Sequence, residues 1–251
     1  MLIDSHCHLN SLSKLTREDV ISSSKGKCRF IDSSIDLNSS KVSLETSSQN
    51  DFVYSALGFH PFSGKSFSQE VVREYEKLLN QNKKIVAIGE IGLDYKADSS
   101  VEMQEDILST FIKLAKNRDL PIMIHNRWQD GKILDILDNF YSNYERIVFH
   151  CFSSGPDFLA KIIERKGFVS FSLNILRKKE EITQSLANCP RSNLLLETDS
   201  PYMRLSGKPS TPLDINKTYK VAAEIKGISE EELEEAVSLN AEKLFPEIFR
   251  G

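Results

Sequence analysis

The sequence predicts a (β/α)8 barrel of the TIM type, on three observations. Eight short apolar or β-branched runs recur along 251 residues. Stretches of helical period or polar composition separate them. Strong polar residues gather at the C-terminal ends of the runs, where parallel barrels carry their chemistry. A doubly wound open sheet competes for the same alternation, and the polar strand ends favour the barrel. One domain over 1–251 is expected, since no repeat, low-complexity tail or Pro/Gly/Ser-rich linker divides the chain.

The runs are LIDSHCHL (2–9), CRFIDSSI (28–35), VYSALGFHP (53–61), IVAIGEIGLD (85–94), PIMIHNR (121–127), IVFHCFS (147–153), GFVSFSLN (167–174) and LLLETDSP (194–201). The clearest helix lies at 100–118, where Met103, Ile107, Phe111, Leu114 and Ala115 make one apolar stripe opposite Lys and Glu. Residues 68–82, 130–141 and 156–166 also read as helices, each opened or preceded by Ser, Asp or Pro in a capping position. The stretch after residue 36 is serine-rich, and its helical assignment stays open. A last helix opens on a capping box, Ser229 with Glu232.

Composition bounds the function. Hydrophobic residues are 40% and charged residues 27%, which is ordinary globular usage. Four scattered cysteines form no CxxC pair, so neither a disulfide framework nor a thiolate zinc site is indicated. With no long apolar span and no leader pattern, a soluble, cytoplasmic protein is the expectation. A net charge of −4 argues against a broadly basic surface, so any polyanion site must be local.

All five histidines of the chain, His6, His8, His60, His125 and His150, fall at run ends together with Glu90, Asp94 and Asp199. On a strand His6 and His8 share a face, and Cys7 takes the other along with Ile3. Asp4 has the parity of the histidines one step deeper, which suits steering a histidine or another strand end better than ligation. Glu90, His125, His150 and Asp199 would project inward from four further strands. Imidazole suits zinc, and added carboxylates widen the choice to manganese or magnesium. So many donors, with one carboxylate able to bridge, suggest two divalent ions about 3.5–4 Å apart. A metal-free polar network would bear a large desolvation cost.

The motifs DSHCHL, GEIGLDY, PIMIHNR, HCFS followed by Gly155, LLLETDSPY and NAEKLF resemble, in order and across nearly the whole chain, those of the TatD family of metal-dependent deoxyribonucleases. The resemblance implies a distorted TIM barrel whose divalent-metal centre hydrolyses phosphodiester bonds of DNA, often from the 3′ end. It implies that His6 and His8 hold the first metal, Glu90 bridges, His125 and His150 hold the second, and Asp199 completes the first. Asp199 also suits the general base, so ligand and base stay open for it. His60 corresponds to a histidine that faces substrate without ligating. Gly89 and Gly92 fit either close backbone approach or plain strand packing.

Around the mouth, Lys96, Arg127, Arg177, Lys178, Lys179, Arg204 and Lys208 lie in loops after strands, with Arg127 the favoured phosphate contact. Phe59, Phe62, Tyr95, Trp128 and Tyr202 are placed for base stacking, of which one or two are expected to touch a base. Phe62 replaces a histidine common in the family, and RLSGKPSTP at 204–212 departs from its usual loop. The leading expectation is a deoxyribonuclease acting on single-stranded or frayed DNA ends, without membrane or obligate protein partner. The alternative is an ester or amide hydrolase such as an aminoacyl-tRNA deacylase, and a third reading is a metal-loaded binding protein without catalysis.

Overall fold

The computed structural model describes residues 1–128 and 131–250. Eight parallel strands follow one another in chain order through one sheet. They are β1 (Leu2–Cys7), β2 (Cys28–Ser33), β3 (Val53–Leu57), β4 (Ile85–Leu93), β5 (Ile122–Asn126), β6 (Ile147–Phe149), β7 (Phe168–Phe171) and β8 (Leu194–Leu196). Between them run α1 (Lys14–Ser24), α2 (Leu37–Gln49), α3 (Gln69–Gln81), α4 (Val101–Arg118), α5 (Lys132–Phe140), α6 (Pro156–Glu164) and α7 (Glu180–Asn188), and α8 (Ile215–Lys226) and α9 (Glu230–Leu244) follow β8. A small hairpin, β9 (Arg204–Leu205) with β10 (Lys208–Pro209), fills the loop after β8. This is the expected barrel, not the open sheet. No helix among the described residues is long and apolar enough to cross a membrane.

The strands are buried on both faces, as their Ile, Val, Leu and Phe content requires. The predicted runs overshoot the ladders at their C-terminal ends, because the last residues of each run turn toward the barrel mouth. His8, His150 and Asp199 thus stand beyond β1, β6 and β8. The helix expectations hold within a residue or two, although residue 130, where one was placed to begin, lies outside the described residues. Ser68 and Ser100 cap α3 and α4, Pro156 opens α6, and Ser229 and Glu232 form the capping box of α9.

Segment 37–49 is helical in spite of its serines. Ser40, Ser43 and Ser47 are buried and bonded: Ser43 Oγ donates to Asp32 O at 3.0 Å and Ser40 Oγ to Asp36 O at 2.7 Å. Small hydroxyls let α2 lie close on β2 and β3, with Ser43 and Ser47 both bonded to Ser55 Oγ at 2.9 Å.

The seam between β8 and β1 has no ladder among the described residues. It closes through Asp199 N donating to His6 O (3.0 Å) and His8 N donating to Ser200 O (2.8 Å). Asp4 completes it: its carboxylate accepts from Thr198 N at 2.9 Å and Thr198 Oγ1 at 2.6 Å, and from His6 N at 3.3 Å. Asp4 therefore ties a histidine to another strand end.

Candidate metal centre

Glu90, on the longest strand, is the hub. Its Oε1 lies 2.6 Å from His125 Nδ1, 2.7 Å from His150 Nε2 and 3.4 Å from His60 Nε2. Its Oε2 lies 3.5 Å from His6 Nε2 and 3.7 Å from His8 Nε2. Asp199 Oδ1 is 3.5 Å from His8 Nε2, and the two Nε2 atoms of His6 and His8 are 3.2 Å apart. All six predicted ligands thus converge, each less than a tenth exposed. His6, His8 and Asp199 form one group able to hold a cation, while Glu90 joins His6 with His150 and His60 with His125 in two more.

Gly92 is what allows this approach. A Cβ there would sit 1.7 Å from His125 O, and its φ of +154° suits glycine, so β4 and β5 can bring Glu90 and His125 together only with glycine at this step. Gly58 works similarly: a Cβ would lie 2.3 Å from Glu90 N. The Gly89–Glu90 and Ser200–Pro201 peptide bonds are cis.

The outer nitrogens of the imidazoles decide what the inner ones can do. His8 Nδ1 donates to Ser33 O at 2.8 Å, which leaves its Nε2 lone pair directed inward. His125 is reversed: Nε2 donates to Asp94 Oδ2 at 2.9 Å and Nδ1 faces Glu90. His6 Nδ1 meets Ser33 Oγ at 3.1 Å, and His150 Nδ1 lies 3.4 Å from Glu197 Oε1. His60 differs in kind. Its Nδ1 accepts the Phe62 N–H at 3.1 Å, so the neutral ring carries its proton on Nε2, 3.4 Å from Glu90 Oε1. The donor set therefore fits divalent cations: imidazole nitrogens and carboxylate oxygens of the type zinc and manganese accept, once the protons shared between His125, His150 and Glu90 are given up.

Charges follow the same geometry. Burial works against ionised Glu90, yet His150, His60 and His125 hold it well below the usual carboxylate range. Asp199, pushed up by burial and down by His8 and His150, ends at about 2. His150 is raised to about 10: burial opposes its charge, but Glu90 and Glu197 outweigh it. Burial lowers His6, and the neighbouring His150 lowers it further.

Asp94, Glu197 and Ser33 were not assigned to the site from the sequence. Asp94 was marked by its place at the end of the fourth run but given no role, and Glu197 could have been marked only by its shared parity with Asp199. Of the rim, Tyr95, Lys96, Arg127, Trp128, Arg177 and Lys179 line a groove of about 1230 Å3, with Asp157, Glu180 and Glu181 also on its walls. Arg127 Nη1 donates to Cys151 O at 3.2 Å and Ser153 Oγ at 3.3 Å. One expectation fails. Phe59 is 1% exposed and stacks on Phe111 in the core, so no base can reach it. Arg204 folds back on its own hairpin, donating twice to Gly207 O (3.0 and 2.8 Å), and with Lys178 and Lys208 does not line the groove. Tyr202 is half exposed and packs edge-on against His8 at 4.7 Å.

A barrel with imidazoles and carboxylates gathered at its C-terminal mouth defines a metal-dependent hydrolase. The chain belongs to the TatD related DNase family, whose sequence model matches residues 3–246. It is 30% identical to the uncharacterized metal-dependent hydrolase YabD of Bacillus subtilis over 98% of this chain and 99% of that protein. It is 27% identical to human deoxyribonuclease TATDN3, covering 98% and 95% of the two chains. The crystal structure of YJJV, a TatD homologue from Escherichia coli, superposes with a TM-score of 0.91 at 26% identity over 98% of each chain.

Proposed function

We propose that this protein is a deoxyribonuclease that removes nucleotides from single-stranded or frayed DNA ends in the 3′ to 5′ direction, using two divalent cations drawn from Mg2+, Mn2+ and Zn2+. His6, His8 and Asp199 would hold one cation, His125 and His150 the other, and Glu90 would bridge. Bound there, divalent cations polarise a phosphoryl oxygen and make water acidic enough to attack at neutral pH. The residues do the rest. Asp199 stays ionised and can take the attacking water's proton, while Glu90 keeps both halves of the centre in register.

The observation that carries the reading is Arg127. It is half-buried beside the centre, and no carboxylate pairs with it among the described residues. Its Nη1 is held by backbone and serine oxygens, which leaves the rest of the guanidinium fork for the paired oxygens of a phosphate. The groove it heads exceeds the roughly 300–1,000 Å3 of small-molecule pockets, as a polymer end requires. His60 supplies a second donor through Nε2–H, and Tyr95, 58% exposed, offers a stacking face. Arg204, tied to its hairpin, is a poorer substrate contact than the sequence suggested. The deoxyribonuclease name of the human relative agrees.

The test is cleavage of 3′- and 5′-labelled single-stranded and duplex DNA with each metal. His125→Ala and Asp199→Asn are expected to lose at least about 100-fold in rate. Robust metal-dependent cleavage in both variants would overturn the assignment. Inertness toward DNA with turnover of aminoacyl esters would assign the ester hydrolase instead.

A further inference from the structure

Glu197 is a wholly buried carboxylate that the chemistry above does not use. It stands one residue past β8, with its backbone pinned on both sides. Glu197 N donates to Phe171 O at 3.1 Å, and Thr218 Oγ1 donates to Glu197 O at 3.1 Å. Its Oε1 accepts the Cys151 N–H at 2.8 Å and lies 3.4 Å from His150 Nδ1. Among the described residues Glu197 Oε2 and His150 Nδ1 have no hydrogen-bond partner, and His150 is the only ion-pair partner of Glu197. A buried carboxylate without a cation is costly, so an imidazole holding its proton on Nδ1 is the partner that accounts for it.

The same oxygen reaches the substrate side. Cys151 has a φ of +44°, a conformation unfavourable for a residue with a side chain, and the Glu197 bond to its N–H holds it there. The carbonyl of that residue receives Arg127 Nη1 at 3.2 Å. One carboxylate thus touches the ring of a candidate ligand and the residue whose carbonyl seats the guanidinium.

We propose that Glu197 is a positioning residue for both. It keeps His150 with Nδ1 protonated and Nε2 turned to Glu90, and through the Cys151 backbone it places Arg127. This rests on the two-ion reading above. Glutamine at 197 keeps the acceptor and loses the charge; alanine loses both.

Calorimetric titration of Mn2+ into metal-free wild type, Glu197→Gln and Glu197→Ala, with thermal melting of each metal-free protein, tests it. Glu197→Ala is expected to weaken one binding event about 10–100-fold and leave the other within about threefold, and Glu197→Gln to recover most of the loss. Equal weakening of both events alongside a lowered melting temperature, or wild-type binding in Glu197→Ala, overturns the proposal. If the alanine variant does not fold, Glu197→Asp decides, since its shorter side chain withdraws the carboxylate from His150 Nδ1 and the Cys151 N–H: weakening of one event supports the role, and unchanged binding at both overturns it. A wild type that takes up fewer than two ions defeats the two-ion reading, and Glu197 then stands or falls on whether its variants weaken the remaining event.

Discussion

His150 shows how far a side chain's chemistry depends on what surrounds it. Its ring lies between Glu90 and Glu197 and stacks on His6 at 3.9 Å between centroids. With its proton held to about 10, the metal-free ring is charged at pH 8, and ligation requires that Nε2 give the proton up. Uptake of a cation is therefore expected to release about one proton from this residue at pH 8, and affinity to rise with pH until about 10 and fall below it. Calorimetry in two buffers of different ionisation enthalpy checks this, since the heats must diverge by the proton count and that divergence must shrink in His150→Asn. Identical heats in both buffers would sink it. The six candidate ligands were legible because histidines and acids at strand ends are rare outside sites. Asp94, Ser33 and Glu197 were not, because nothing local in the sequence says which ring nitrogen each will meet.

Among the elements, β4 and its neighbours set the spacing of the centre. Gly92→Ala would drive a Cβ into His125 O, so it is expected to destabilise the protein by about 1–3 kcal/mol and to abolish uptake of at least one ion. Gly155→Ala is the control: nothing lies within 4 Å of a Cβ there, and φ is −76°, so melting and metal uptake should be unchanged. Equal behaviour of the two variants would refute the close-approach role. The glycines of GEIGLDY left two explanations open in the sequence; for Gly92 the distance to His125 decides for backbone approach. The serine-rich α2 was equally undecided, since serine is a middling helix former and only the hydroxyl partners on β2 and β3 explain its burial.

On the scale of the whole molecule, an acidic chain presents a local cationic groove. Lys96, Arg127, Arg177 and Lys179 share it with three carboxylates, so binding of a DNA end should be salt-dependent but shallow. Two to four phosphate contacts give a slope of log K against log salt of roughly −1.4 to −2.8 for single strands. Fluorescence anisotropy with a short labelled oligonucleotide in EDTA measures it. Arg127→Ala should flatten the slope by about 0.7, and Arg204→Ala should leave it unchanged. The reverse ranking would move the phosphate path to the hairpin side of the mouth.

From the sequence alone came the barrel, the order of its strands and the polar residues that meet at its mouth, because alternation, capping and polar strand ends are local properties. Tertiary structure decided which donors share an oxygen, that His60 Nδ1 accepts a backbone N–H, that Phe59 is core, and that Arg204 bonds its own hairpin. Those depend on distances between strands far apart in the chain, which close approach at Gly92 and the bonds across the β8–β1 seam set and no local pattern encodes.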